Sequence, residues 1–299
     1  MKKFAVKVPG STANLGPGFD SIGLAVNLYL KMEAAPSERW EFVYETPGFE
    51  EIPTNEENLI YQAAQYAAKQ KGITRRLPAQ RVTVACDLPL ASGLGSSAAA
   101  IVAGIELADQ LLGLSLTKEE KARIASLYEG HPDNVAASVY GGLVVSMHSE
   151  EETIVIASGT PKLEMILMTP KRELLTSESR EVLPKTLSFQ EGIQASSIAN
   201  VLVAALLKGD IRTAGRMMKK DLFHQPYRRK IVPDLPVISA FGEEHGIEGV
   251  ALSGAGPSIM CYTSVGKGNE ALQRLQTAFP DYDCQLIRPA KEGATVAVL

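Results

Sequence analysis

The sequence predicts a protein of α/β (α+β) class built as two domains, and three observations predict it. Its 299 residues exceed the usual size of one domain and suit two units of about 150 residues each. In the first half, Arg81–Cys86 alternates with β-branched residues as strands do, a glycine-rich loop follows, and Ser97–Leu112 is rich in Ala, Ile, Val and Leu as buried helices are. The end of the chain reads strand, strand, helix, strand over Gly249–Ser253, Ile259–Tyr262, Asn269–Ala278 and Cys284–Ile287, which suits a sheet backed by helices. Composition agrees with an ordinary globular enzyme, at 45% hydrophobic and 21% charged residues. A net charge of −4 gives no support to nucleic-acid binding or to a basic membrane surface. No window approaches the ~18 consecutive apolar residues of a membrane helix, and no signal-peptide core follows Met1. Cys86, Cys261 and Cys284 form neither a disulfide framework nor a zinc pattern, so a reducing cytoplasm is expected.

In chain order, Phe4–Val8 is a short strand leading into a loop, Pro9–Asp20, whose glycines and prolines impose special backbone geometry. Asn14 and Asp20 are its polar members; they either bond their own backbone or face a ligand. Ser21–Glu33 and Trp40–Tyr44 read as strands, and Asn58–Lys71 as an amphipathic helix stopped by Gly72, with Asn58 suited to cap it. Pro89-Leu90-Ala91-Ser92-Gly93-Leu94-Gly95-Ser96-Ser97-Ala98-Ala99 then carries the chain from a strand to a helix N-terminus. Free N–H groups and the positive dipole end favour an anion there, and the glycines let phosphate oxygens approach the backbone. A plain Gly-Ser helix cap is the alternative. Neither the Walker nor the Rossmann spacing is present.

Thr117 caps a helix running to Glu129, after which Glu129-Gly-His131-Pro-Asp133-Asn134 gathers two acids, a His and an Asn; capping of the next helix is the other reading. Glu150–Glu152 is a hairpin turn. No long linker exists, so a tight domain boundary is placed near Gly159, dividing residues 1–158 from 159–299. Glu164–Met168 is a strand, Phe189–Leu207 and Asp210–Lys220 are helices, Phe223–Arg229 is a polar turn and Leu235–His245 a helix. Ser253-Gly-Ala-Gly-Pro-Ser258 joins the next two strands.

Together the loops resemble the three signatures of the GHMP kinases, the galactokinase, homoserine kinase, mevalonate kinase and phosphomevalonate kinase family. The first loop and the Glu129–Asn134 stretch are most similar to the homoserine kinase branch, with small replacements at Gly10, Ser11 and Thr12 and a shorter span from Glu129 to Asn134. The resemblance implies an N-terminal domain like domain 2 of ribosomal protein S5 and a ferredoxin-like C-terminal domain. It also implies a homodimer and ATP-dependent phosphorylation of the L-homoserine hydroxyl on the route to threonine. ATP would be held by Pro89 to Ala99 and by Asn58 at the adenine, and Mg²⁺ by Ser97 and Glu129. The substrate would meet Asn14, Asp20, His131, Asn134, Thr176, Arg180 and Arg228, with the arginines on its carboxylate and Asp20 at its amino end. Glu129, His131 and Asn134 are the expected catalytic group; no general base is evident, and Asp133 is the one nearby acid. A decarboxylase or a non-catalytic ligand sensor on the same fold are the competing classes. The first gives no reason for recognising amine and carboxylate, and the second has no need of a magnesium site.

Overall fold

A computed structural model describes residues 3–171 and 176–299, with the backbone alone for 176–178. In chain order the first half forms β1 (Phe4–Ala13), β2 (Ile22–Pro36), β3 (Glu41–Tyr44), α1 (Leu59–Gln70), β4 (Gln80–Cys86), α2 (Ser96–Leu112), α3 (Lys118–Glu129), α4 (Asp133–Tyr140), β5 (Leu143–His148) and β6 (Thr153–Ala157). The second half continues with β7 (Leu163–Pro170), α5 (Thr176–Glu181), α6 (Phe189–Lys208), α7 (Ile211–Met218), α8 (Gln225–Arg228), α9 (Asp234–Glu244) and β8 (Gly249–Leu252). It closes with β9 (Ile259–Ser264), α10 (Gly268–Ala278), β10 (Tyr282–Ile287) and β11 (Thr295–Val298).

Two sheets result. The larger runs β11-β1-β2-β4-β3, with β5 pairing the start of β2 and β6 pairing β5. Its ladders are antiparallel except β3 on β4. The smaller is antiparallel throughout, ordered β10-β7-β9-β8, with α7, α9 and α10 packed against it. This is the expected mixed α/β class.

The first loop is shorter than its composition suggests. Pro9 to Ala13 continue β1 across a register shift at Pro9/Gly10, because the long β2 supplies partners that override the local turn signal. Helix α2 is buried against α1, α3 and β1. Its two buried acids, Glu106 and Asp109, each lie 2.8 Å from Lys121 Nζ of α3, so both buried carboxyl groups share one cationic partner. One core cluster runs from β1, β2 and α2 through to Met165, Leu167 and Tyr262 of the second sheet. The three glycine-rich loops meet above it. No described helix is long and apolar enough to cross a membrane.

Candidate active site

The central loop owes its shape to backbone that only glycine adopts easily. Gly93 and Gly95 have φ of +79° and +66°, and Gly95 caps α2 with no side chain bonded to the first-turn amides. The glycines are needed on a second ground. A Cβ on Gly93 would lie 2.2 Å from Ser253 O, and one on Gly95 would lie 2.5 Å from Ser11 Oγ. The central loop is thus packed against the backbone of the third loop and against the Ser11 side chain. Among the described residues the N–H groups of Gly93, Leu94 and Gly95 donate to no protein acceptor, which leaves a row of donors at a positive helix end.

Gly93 and Gly95, but not the buried Leu94 between them, border a cleft of about 130 Å³ lined by Asn14, Asp20, Ala91, Ser92, Gly93, Gly95, Ser96, Ser97, Ala98, Glu129, His131, Asp133, Asn134, Arg180, Arg228 and Gly254. Most of the residues singled out in the sequence are therefore brought together. Pro89 and Leu90 line a neighbouring cavity of about 310 Å³ with Phe49, Pro170 and Pro257, and Ala91 and Ser92 border both. Leu94 and Ala99 are buried in the core. Asn58 lines neither cavity. Its carbonyl accepts Ile60 N–H as the α1 cap, and its amide donates to Tyr44 Oη and Pro53 O, while Tyr44 stacks on Phe49. The side chain of Thr176 lies outside the described residues.

At the joint between α3 and α4, Glu129, His131, Asp133 and Asn134 face the N-terminus of α2. Asp133 Oδ1 lies 2.8 Å from His131 Nδ1 and accepts Asn134 N–H at 2.8 Å, and it is 1% exposed. Burial alone would lower the His131 pKa; the bond and charge of Asp133 outweigh it and hold the imidazole above its ordinary range. Burial raises the Glu129 carboxyl, with His131 acting in the opposite sense. Asn134 Oδ1 accepts Ser11 Oγ–H at 2.9 Å, which ties this joint to the first loop.

The opposite wall is cationic. Arg180 grips Asp20 with two bonds, Nη1 to Oδ2 at 3.2 Å and Nη2 to Oδ1 at 2.9 Å. Arg228 is 1% exposed, its Nε donating to Ser179 O and its Nη1 to Gly254 O and His224 Nδ1. Among the described residues its Nη2 has no partner, so two N–H donors remain for a ligand. Burial, then the charge of Arg180, lowers its pKa to about 10, and it remains a cation at neutral pH. His224, a member of the polar turn Phe223–Arg229, is the support of this arginine. It accepts from Arg228 at Nδ1 and donates Nε2–H to Gly16 O at 2.9 Å. Asn14 is committed to the loops as well, donating to Gly254 O and accepting Asp20 N–H.

The cleft thus has one end at the α2 N-terminus, an oxygen-rich middle and a cationic end. Glu129 and Ser97 supply the hard oxygen donors that suit a divalent cation beside phosphate. Asp20, His131 and Asp133 offer a further group of ligand atoms within 4.8 Å of one another.

Comparison with known proteins gives the chain's family. The family model for the GHMP kinases N terminal domain matches residues 58–142, and that for the GHMP kinases C terminal region matches 202–281. The homoserine kinase of Shouchella clausii is 49% identical over 99% of this chain and 98% of its own length. That of Halalkalibacterium halodurans is 49% identical over 98% and 94%. The crystal structure of homoserine kinase from Cytophaga hutchinsonii superposes with a TM-score of 0.85 at 27% identity, covering 99% of this chain and 98% of that one.

Proposed function

The chain belongs to the GHMP kinase family, and from that footing we propose that it is a homoserine kinase, transferring the γ-phosphoryl group of ATP to the side-chain hydroxyl of L-homoserine. The product would be O-phospho-L-homoserine, made in the cytoplasm on the route to threonine. One observation carries the reading: a single cleft joins the Gly93 and Gly95 amides at the α2 N-terminus to the Nη2 of Arg228, all without acceptors or partners among the described residues, and to the Arg180–Asp20 pair. A phosphate chain fits the first and the two charges of an amino acid fit the second.

The roles follow from chemistry. Amides of the loop from Ala91 to Ala98 hold the triphosphate, and the cavity beside Phe49, Leu90 and Pro170 suits the flat face of the base. Ser97 and Glu129 would hold Mg²⁺, which neutralises charge on the transferring group when bound. Arg228 Nη2, with Arg180, takes the α-carboxylate; each charge-assisted bond contributes about 1.5–3 kcal/mol. Asp20, drawn off Arg180 by the incoming carboxylate, faces the α-ammonium. His131 and Asn134 orient the hydroxyl. Asp133 is engaged by His131 and the Asn134 amide, so positioning and electrostatics carry more of the rate than a carboxylate base does, as suits a loose phosphoryl transition state. A homodimer belongs to the same proposal and is checked by sedimentation velocity.

The test is ADP release with Mg·ATP and L-homoserine, mevalonate, galactose or no acceptor. Turnover confined to homoserine is expected. Turnover with another acceptor would keep the kinase and reject the substrate, and ATP binding without turnover on any acceptor would favour a sensor.

A further inference from the structure

The three loops are joined by buried hydroxyls that phosphoryl transfer itself does not call for. Ser253 Oγ, between β8 and β9, lies 2.7 Å from Gly93 O and 2.9 Å from Thr12 Oγ1. A carbonyl can only accept, so the one Ser253 proton goes to Gly93 and Thr12 must donate to Ser253. Behind them the Tyr262 hydroxyl is buried and, among the described residues, meets no hydrogen-bond partner of good geometry. Thr12, Ser253 and Tyr262 are all fully buried, so water does not substitute for a lost member. On the other side of the loop, Ser11 N–H donates to Leu94 O at 3.0 Å.

Peptide planarity turns these two anchors into a direction. In a trans peptide the C=O and the next N–H point opposite ways. Drawing Gly93 O toward Ser253 therefore turns Leu94 N–H away from it, and drawing Leu94 O toward Ser11 turns Gly95 N–H away likewise. Both N–H groups are without a protein acceptor among the described residues, and Gly93 and Gly95 border the cleft. Leu94 itself is buried, and Gly95, the next residue, borders the cleft; successive amides left without acceptors along one loop are the elements of an anion nest.

We propose that Thr12 and Ser253 are positioning residues for the nucleotide, their hydroxyls acting in series to fix the Gly93 peptide so that the loop amides are aimed before the triphosphate arrives. This rests on reading the cleft as an ATP site. Without the latch, part of the binding free energy goes into ordering the loop, which weakens nucleotide binding and leaves the homoserine end untouched.

The experiment compares Thr12→Val, which keeps the shape and removes the hydroxyl, Thr12→Ser, which keeps the hydroxyl, and Ser253→Ala, all in the full chain. ATP affinity is read by calorimetric titration without acceptor, and KM is measured for each substrate. Ser253→Ala should weaken ATP binding about tenfold, the equivalent of one net hydrogen bond, and Thr12→Val about threefold to fivefold. Thr12→Ser should restore wild-type affinity, with the KM for homoserine within about twofold throughout. Equal ATP affinity in Thr12→Val and wild type overturns the proposal, and that pair decides the matter should Ser253→Ala fail to fold. Failure of wild type to bind ATP would instead reject the ATP reading of the cleft, a separate outcome.

Discussion

Arg228 carries two duties that a substitution separates. Its Nε and Nη1 hold Ser179 O, Gly254 O and His224, whereas Nη2 has no partner among the described residues and is the group proposed to meet the carboxylate. Arg228→Ala should therefore raise the KM for homoserine about a hundredfold, the loss of a charge-assisted pair, and also lower the melting temperature, because buried acceptors lose their donor. Arg180→Ala, at a half-exposed position, should raise the same KM while leaving the melting temperature nearly unchanged. Steady-state kinetics beside thermal melts check both. His224 gives a pH prediction. Burial first, with Arg228 acting in the same sense, lowers its pKa from 6.5 to about 4 in the folded protein, whereas the neighbouring Asp221 opposes the shift. The native state then binds fewer protons than the unfolded chain, so this contribution is present above pH 6.5 and is lost as the pH falls toward 4. It is worth on the order of 3 kcal/mol. Melting temperature should fall over that interval more steeply for wild type than for His224→Gln, whose amide can still donate to Gly16 O and accept from Arg228. The sequence displayed Arg228 through its motif. It did not display His224, because a histidine inside a polar turn looks the same whether it is solvated or buried beneath an arginine.

At the scale of elements, the strand–loop–α2 unit was legible because its signals are local: alternation, two glycines and an apolar run. The glycines themselves had a further cause that lay elsewhere in the chain. The motif alone explains Gly93 by phosphate approach, yet the group a Cβ would strike is Ser253 O, 160 residues away. Gly93→Ala and Gly95→Ala should accordingly differ. Both force a positive φ on alanine, at about 1–3 kcal/mol, but the first also meets a backbone oxygen and the second a serine side chain that can turn. Gly93→Ala should lose ATP binding by about a hundredfold or more and Gly95→Ala by about tenfold, read by titration with ATP. Equal losses would mean that loop strain, and not the contact with the third loop, sets the requirement. Pro9 to Ala13 illustrate the opposite limit, since turn-forming residues there were carried into β1 by pairing with β2. Only the partner strand supplies that information.

Over the whole molecule, the last strand of the chain returns to the first sheet. The return of Thr295–Val298 to β1, in register from Phe4 with Val298 to Lys7 with Thr295, was invisible beforehand because four residues without a turn signal carry no period. The main core likewise mixes Val8, Leu24 and Ile101 from the first sheet's side with Met165, Leu167 and Tyr262 from the second. Arg288 reaches back to Glu164 at 2.7 Å, bracing the segment that leads to β11. A fragment of residues 1–158 would keep its glycine loop and its helices but lose the outer partner of β1 and the apolar side chains that cover the core from below. Hydrophobic burial supplies most of the favourable free energy of folding, and net stability is only about 5–15 kcal/mol. Losing several large buried side chains, at about 2–5 kcal/mol each, exceeds that margin. The full chain should therefore melt in one calorimetric transition, and fragment 1–158 should show neither a cooperative melt nor dispersed amide resonances. ATP should raise the melting temperature of the full chain and leave the fragment unaffected, since the Ser253 and Gly254 contacts that shape the loop come from the other half. A fragment that melts sharply and binds ATP would show that each half keeps its own core and that the shared one contributes little.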